Sequence, residues 1–424
     1  MTSPAYRAVQ ACRICGSPAL ESVFDLGTLA LTGVFPKSAQ ADRNLTRGPL
    51  DLVKCSAGGP KAGCGLLQMR HSYSPPEMYG ENYGYRSGLN RSMVEHLHAK
   101  VRGILKRVPL LAADIVLDIG SNDGTLLDAY PHPGARLIGM DPSGAKFRRY
   151  YPAHAELVPD FFSAERFRAA SGGKPARIVT SIAMFYDLES PVDFARQVAD
   201  ILAPDGLWVF EQSYMPTMLD TGSYDTICHE HVEYYALAQI RWILERAGLK
   251  LVDVELNDVN GGSFSITAAK AASAHAPDSQ AISKLESREK SLGLDGARPY
   301  EVFRERALRH KRELTAFVRG VRAEGKKILG YGASTKGNVI LQFCGFTAED
   351  LPCIAEVNED KFGAFTPQTL IPIVSERDAK AMKPDYLLVL PWHFRRNIVE
   401  REQAYLRSGG KLVFPLPEIE VVGA

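Results

Sequence analysis

Two histidines flank a glutamate in the stretch Tyr224-Asp225-Thr226-Ile227-Cys228-His229-Glu230-His231-Val232-Glu233-Tyr234-Tyr235. An imidazole titrates near neutral pH and a neighbouring carboxylate can orient it, so His231 beside Glu230 is equipment for removing a proton. His229 adds a second imidazole and Tyr224 a phenol. Metal ligation is the rival use. On a helix, however, residues two apart point away from one another, and the His-Glu-x-x-His order is absent. A polar network under a loop is the chemically idle alternative.

A second cluster lies near the start. Cys12-Arg13-Ile14-Cys15 is a Cys-x-x-Cys knuckle followed by Gly16, and Cys55 and Cys64 could complete a four-thiolate shell. Zinc accepts four such ligands in a closed, structural site. The second pair is widely spaced, with Ala57-Gly58-Gly59-Pro60 as the loop that closes it. Redox thiols are the alternative. The other three cysteines are scattered, and seven in a long chain do not read as a disulfide framework.

These groups need elements to hold them. Ile115 to Ile119 is a short apolar run suited to a buried parallel strand. It leads into the turn Asp118-Ile119-Gly120-Ser121-Asn122-Asp123-Gly124 and then a helix start at Thr125. A second strand, Arg136 to Met140, ends at Asp141, where an acid can accept from a ribose. Two acids in the turn would repel a pyrophosphate but suit an amino group and a sulfonium, which favours S-adenosylmethionine over a dinucleotide. Strands at 177–181 and 207–211 and a helix at 192–202 continue the alternation. Asp160 and Phe161 could hold an adenine ring, or serve as a helix cap and a core residue.

Further on, 271–300 reads as a linker with a helical piece, and Phe303, Ala307, Leu314, Phe317 and Val321 mark an amphipathic helix over 301–324. Gly330-Tyr331-Gly332-Ala333-Ser334-Thr335-Lys336-Gly337-Asn338 then follows a strand. Its backbone amides could hold phosphate, with Lys336 adding charge, although the P-loop order is missing. Strands near 351–356, 386–390 and 411–414 predict a second Rossmann-like domain, with Trp392 just beyond a strand. The tyrosine- and glycine-rich segment 78–87 is either a surface loop or a lid over a ligand.

Composition sets the class. The net charge of +1 over 424 residues argues against a nucleic-acid binder, and 45% hydrophobic with 23% charged residues fits a globular protein rather than a disordered one. No apolar run reaches membrane-span length, and the first residues do not read as a signal peptide, so a cytoplasmic enzyme is expected.

Taken together, these segments resemble the sugar C-methyltransferases that act on nucleotide-linked deoxysugars. The resemblance runs nearly end to end. It is carried by the four cysteines, the turn from Leu117 to Gly124, the Cys228-His229-Glu230-His231 and Tyr234-Tyr235 segment, Asn260-Gly261-Gly262-Ser263-Phe264 and the motif from Gly330 to Asn338. It implies an α/β fold with a class I methyltransferase Rossmann-like core. A small zinc-binding domain is expected over 1–76, the S-adenosylmethionine-binding domain over 77–270, the linker over 271–300, and a Rossmann-like nucleotide-sugar domain over 301–424. It further implies methylation at C-3 of a 4-keto-deoxysugar, with a dTDP-linked substrate and a monomer or weak oligomer.

By this resemblance His231 is the general base, Glu230 orients or assists it, and Tyr224 and His229 are nearby donors. Cofactor contacts are expected from Asp118, Gly120, Asn122, Asp141, Pro142, Ser143, Asp160, Phe161 and Ser181. Substrate contacts are expected from Tyr83, Tyr85, Arg86, Asn260, Gly261, Gly332, Ser334, Lys336, Asn338 and Trp392, and the lid reading of the tyrosine segment gains weight. The chain departs from some relatives in having Phe185-Tyr186-Asp187 where they carry a histidine, and Cys228-His229 where they carry tyrosine or another residue. Methyl transfer to oxygen or nitrogen, and a non-catalytic zinc- and nucleotide-binding module, are the competing functions.

Overall fold

Strands form where the apolar runs fall, and glycine turns separate them. The structure, a computed structural model, describes residues 5–56, 63–79, 85–131 and 134–423. Past a short strand at Tyr6–Ala8, the N-terminal part holds β1 (Leu20–Ala30), β2 (Arg47–Cys55) and β3 (Leu67–Met69). Next comes α1 (Arg91–Arg107), which buries Met93, Leu97, Val101 and Ile104 on one stripe. The middle of the chain holds β4 (Ile115–Ile119), β5 (Arg136–Met140), β6 (Ala155–Val158), β7 (Ala176–Ile182), α2 (Pro191–Ile201) and β8 (Leu202–Ser213). It ends with β9 (Glu233–Tyr234), β10 (Leu249–Asn257) and β11 (Ser263–Lys270).

Seven of these strands make one sheet in the order β10-β11-β8-β7-β4-β5-β6. Neighbours from β8 to β6 are parallel, and β11 runs antiparallel to both β8 and β10. This is the class I methyltransferase order. The chain enters at the centre, winds to one edge and returns to build the other, so β4 and β7 flank the switch point where open α/β sheets take ligands.

A second sheet has the order β9-β3-β2-β1. Its edge strand β9 comes from far along the chain and pairs Glu233 with Gln68 and Tyr234 with Leu67. The residues just after His231 are therefore woven into the N-terminal sheet.

The last third begins with α3 (Ser279–Ser291) and α4 (Arg298–Ala323). α3 falls in the stretch read as a linker, but it is packed. It buries Ile282, Leu285 and Glu289, and the Glu289 carboxylate accepts from the Tyr214 hydroxyl at 2.9 Å and the Leu237 amide at 2.7 Å. Then come β12 (Ile328–Tyr331), α5 (Thr335–Cys344), β13 (Ile354–Glu356), β14 (Ile373–Ser375), β15 (Tyr386–Val389), β16 (Lys411–Phe414) and β17 (Glu420–Val422). They form a sheet in the order β14-β13-β12-β15-β16-β17, parallel except for β17. Among the described residues no helix is long and apolar enough to cross a membrane.

Candidate active site

β4 delivers the chain into a turn with left-handed Gly120 (φ 74°), Asn122 (φ 52°) and Gly124 (φ 79°), conformations that glycine and asparagine tolerate best. The helix that follows is a single turn, Thr125–Asp128. Asp141 closes the turn from the end of β5. Its carboxylate accepts from the Asn122 amide at 2.8 Å and from the Ser143 amide and hydroxyl at 2.6 Å each, with Pro142 between them. Asp118 is buried and accepts from the Thr180 hydroxyl at 2.6 Å, and burial pushes its pKa up to about 7.

Segment 85–88 lies over this turn. The Asn122 side chain donates to the Tyr85 carbonyl at 3.3 Å and accepts from the Ser87 amide at 2.9 Å. Arg86 pairs with Asp123 at 3.5 Å and lies 3.9 Å from the Tyr150 ring centroid. Tyr85 and Arg86 thus cover the cofactor turn, while Tyr83 lies outside the described residues. The Phe161 ring is exposed, and Asp160 pairs with Arg166 at 2.9 Å.

The Ser181 hydroxyl is engaged within the sheet packing. Adjacent strand residues face opposite sides, so Ser181 points away from the Thr180–Asp118 face and accepts from the Trp208 indole at 2.9 Å. Asp141→Ala is expected to weaken S-adenosylmethionine binding by roughly 10- to 100-fold, the loss of charged hydrogen bonds worth about 1.5–3 kcal/mol. Isothermal calorimetry reads this directly.

The loop carrying His231 is held from several sides. His231 Nδ1 lies 2.9 Å from the Thr226 carbonyl. A carbonyl only accepts, so Nδ1 carries the proton and Nε2 keeps the basic lone pair. The ring packs on Tyr186 with centroids 4.2 Å apart. Ser213, Met215, Met218, Glu233 and Tyr234 line the narrow cleft around it. Burial, and then the charge of Lys336, hold its pKa down at about 3, so the ring is neutral in ordinary buffers.

The other three expected catalytic groups are used differently. Among the described residues Glu230 makes no hydrogen bond to His231. Its buried carboxylate accepts from the Thr32 hydroxyl at 3.4 Å and lies against the backbone of Gly33. Tyr224 is fully buried, with its hydroxyl 3.0 Å from His310 Nδ1 and 3.8 Å from Cys344 Sγ, between the middle and last thirds of the chain. His229 is also fully buried, edge-on to Tyr73 at 4.6 Å, and burial pushes its pKa down to about 3. Tyr224 is thus enclosed by α4 and α5, whereas His229 is enclosed by Tyr73 and Thr32, its Nδ1 lying 3.5 Å from the Thr32 hydroxyl.

Sequence reading gave no warning of Gly33, since nothing marks it as special in the sequence. A Cβ there would collide with the Glu230 carboxylate. Gly33→Ala is expected to cost about 1–3 kcal/mol, the usual range for overpacking, seen as a lower urea midpoint together with reduced turnover. Arg13 was also missed. It lies inside the cysteine knuckle, and its guanidinium donates to the Met69 carbonyl at 2.6 Å, the Ser72 hydroxyl at 2.9 Å and the Val232 carbonyl at 3.5 Å, next to His231. Glu211 is a third. Against the upward pull of burial, its hydrogen bond to His96 at 2.6 Å and the ion pair with Lys100 at 2.6 Å hold its pKa at about 2.

The last third supplies the other wall. Lys336, in the first turn of α5, donates to the Asn260 carbonyl at 2.6 Å. Trp392 donates from its indole to Asp225 at 2.7 Å and packs on Gly261, which has no side chain to obstruct it. Ser334 caps α5 by accepting from the Gly337 amide at 3.0 Å, and Gly332 lies against Pro391, so both shape the turn. Asn338 is buried and donates to the Thr32 carbonyl at 2.7 Å, tying α5 to the N-terminal sheet. Lys336, Trp392, Asn260 and Gly261 therefore gather beside the base loop, whereas Ser334, Gly332 and Asn338 hold the frame.

The four N-terminal cysteines converge. Their sulfurs all lie within 4.8 Å of one another, with Cys12 to Cys64 at 3.4 Å and Cys15 to Cys55 at 3.5 Å. Ligands about 2.3 Å from a tetrahedral zinc are separated by about 3.8 Å, so the donor set fits that ion. The Ala57-Gly58-Gly59-Pro60 loop lies outside the described residues.

Known protein families match three successive stretches of the chain. A family described as "Putative zinc binding domain" matches residues 12–79, a methyltransferase domain family matches 93–254, and a C-methyltransferase C-terminal domain family matches 258–417. The C-methyltransferase NovU of Streptomyces niveus is 32% identical over 419 residues, covering 99% of this chain and 98% of that one. Among solved structures, the magnesium protoporphyrin IX methyltransferase of Synechocystis PCC 6803 with bound SAH is 13% identical over 43% of this chain and 88% of its own, with a TM-score of 0.33. The N-methyltransferase NodS of Bradyrhizobium japonicum WM9 is 15% identical over 43% of this chain and 98% of its own, with a TM-score of 0.32. Those two likenesses are too low to bear on the chemistry. The full-length identity to NovU is not, and it places the chain in the C-methyltransferase family as an S-adenosylmethionine-dependent methyltransferase.

Proposed function

We propose that this enzyme methylates C-3 of a nucleotide-linked 4-keto-deoxysugar, with dTDP as the carrier, using His231 as the general base. The observation that carries the reading is the His231–Thr226 contact at 2.9 Å, which leaves Nε2 unprotonated in a neutral ring. Methylation at carbon needs a base of this kind, because a C–H beside a ketone must be ionised before it can attack. His231 takes that proton, the enolate carbon bonds to the sulfonium methyl, and the S–CH3 electron pair leaves with sulfur as the ketone re-forms. Asp118, Asp141 and the left-handed turn between them suit the ribose and the cationic donor. Phe161, whose ring is exposed, would cover the adenine.

A structural Zn2+ belongs to Cys12, Cys15, Cys55 and Cys64. The divisions 1–76, 77–270 and 301–424 are then a metal-held cap, a donor-binding domain and a substrate-binding domain. Solvent-deuterium exchange at the carbon next to the ketone, followed by NMR over a panel of nucleotide 4-keto sugars, tests the reading. Exchange that disappears in His231→Gln supports it. Full exchange in that variant rules His231 out as the base, and no exchange on any sugar rules out the substrate class.

A further inference from the structure

We infer that Lys336 is a catalytic residue whose ammonium hydrogen-bonds the enolate oxygen, rather than a phosphate-holding cation of the glycine turn. This rests on the proposed enolisation of a 4-keto sugar. Three placements support it. Lys336 leaves its own turn and reaches the hairpin between β10 and β11, where it donates to the carbonyl of left-handed Asn260 (φ 55°). That bond uses one of the three N–H groups of an ammonium. Asp225, fully buried, lies one residue before Thr226, the residue that orients His231. One Asp225 oxygen accepts from Trp392, and the other has no hydrogen-bond partner. Trp392, which donates to Asp225, packs on Gly261 next to the Asn260 carbonyl that holds Lys336, so a run of contacts leads from Lys336 to the Thr226 carbonyl that His231 meets.

A cation there weakens the base in the resting enzyme. It repays that cost only where negative charge develops beside the base, and an enolate oxygen is such a place. As the C–H bond breaks, its proton goes to His231 Nε2 and its electron pair moves through the forming C=C bond onto the carbonyl oxygen. Lys336 donates to that oxygen; burial pushes its pKa down, and the negative charge of Asp225 acts in the opposite sense. When the C–CH3 bond forms, the charge returns from oxygen and leaves Lys336 unchanged. A preorganised donor aimed at a developing oxyanion is typically worth about 10²–10³ in rate.

The test uses the full-length enzyme with a dTDP-linked 4-keto-6-deoxyhexose in deuterated buffer. Lys336→Met should slow exchange at saturating substrate by roughly 10²–10³, with dTDP affinity by calorimetry within about twofold, and Lys336→Arg should restore part of the rate. The acid limb of the exchange profile should move up in Lys336→Met, because removing a neighbouring cation raises the pKa of His231. Wild-type exchange at saturation, with or without weakened dTDP binding, would overturn the assignment and, in the weakened case, return Lys336 to the phosphate. Should Lys336→Met fail to fold, Lys336→Gln keeps an N–H donor without the charge and is judged by the same two outcomes. Absence of exchange in the wild-type enzyme would instead remove the proposed reaction itself.

Discussion

Replacing His231 by glutamine is expected to lower turnover by about 10²–10⁴-fold, the usual contribution of a positioned base, while S-adenosylmethionine binding stays within about twofold. Glutamine can still donate to the Thr226 carbonyl, so the loop keeps its anchor at 2.9 Å. The amide oxygen that remains is too weakly basic to take a proton from carbon. The cofactor turn is built from Asp118, Asn122 and Asp141 on β4 and β5 and does not depend on the imidazole. The pH profile adds a second check. The pKa of His231 lies at about 3, below the ordinary imidazole value, because burial and Lys336 both disfavour the charged ring. Lowering pH from 8 to 5 therefore leaves it neutral, and its acid limb should emerge only near its own pKa. A limb at an ordinary imidazole pKa that vanished in His231→Gln would contradict this electrostatic picture. Stopped assays with product detection by mass spectrometry, run on both proteins, settle the point.

The scaffold was legible because it obeys short-range rules. The apolar runs at 115–119, 136–140 and 411–414 became strands with those bounds, and the basic amphipathic helix expected at 301–324 begins only three residues early, at Arg298. The four cysteines also came together as their spacing allowed. The base loop was legible in type but not in wiring. Two histidines and a glutamate in a row look interchangeable, yet His229 turns into the N-terminal sheet, Glu230 meets Thr32, and only His231 faces the cleft. That sorting is set by β9 pairing with β3, a contact between residues far apart in sequence that no local pattern records. Gly33 and Arg13 were missed for the same reason, because each matters through a distant partner. Lys336 was read by its neighbours in a glycine turn, but its reach is decided by the hairpin at Asn260.

The same wiring predicts what metal removal does. Stripping the proposed zinc, or changing Cys64 to serine, should abolish turnover far more than it weakens donor binding. Cys55 ends β2 and Cys64 precedes β3, so the ion would staple the strand that pairs with β9. Arg13, between Cys12 and Cys15, holds the carbonyls of Met69 and Val232 on either side of that pairing. Structural zinc in small domains contributes about 10–16 kcal/mol at neutral pH, more than the few small strands here could replace. Without it, the knuckle releases Arg13, β9 loses its register, and His231 loses the loop that aims it. The donor site is anchored in the seven-stranded sheet instead, so S-adenosylmethionine affinity should change by no more than about threefold while turnover falls by more than about 100-fold, within the range set by losing a positioned base. Elemental analysis, calorimetry and turnover on chelated and zinc-restored protein separate the cases. Metal-free protein that still turns over at the normal rate would show that the knuckle does not position the base.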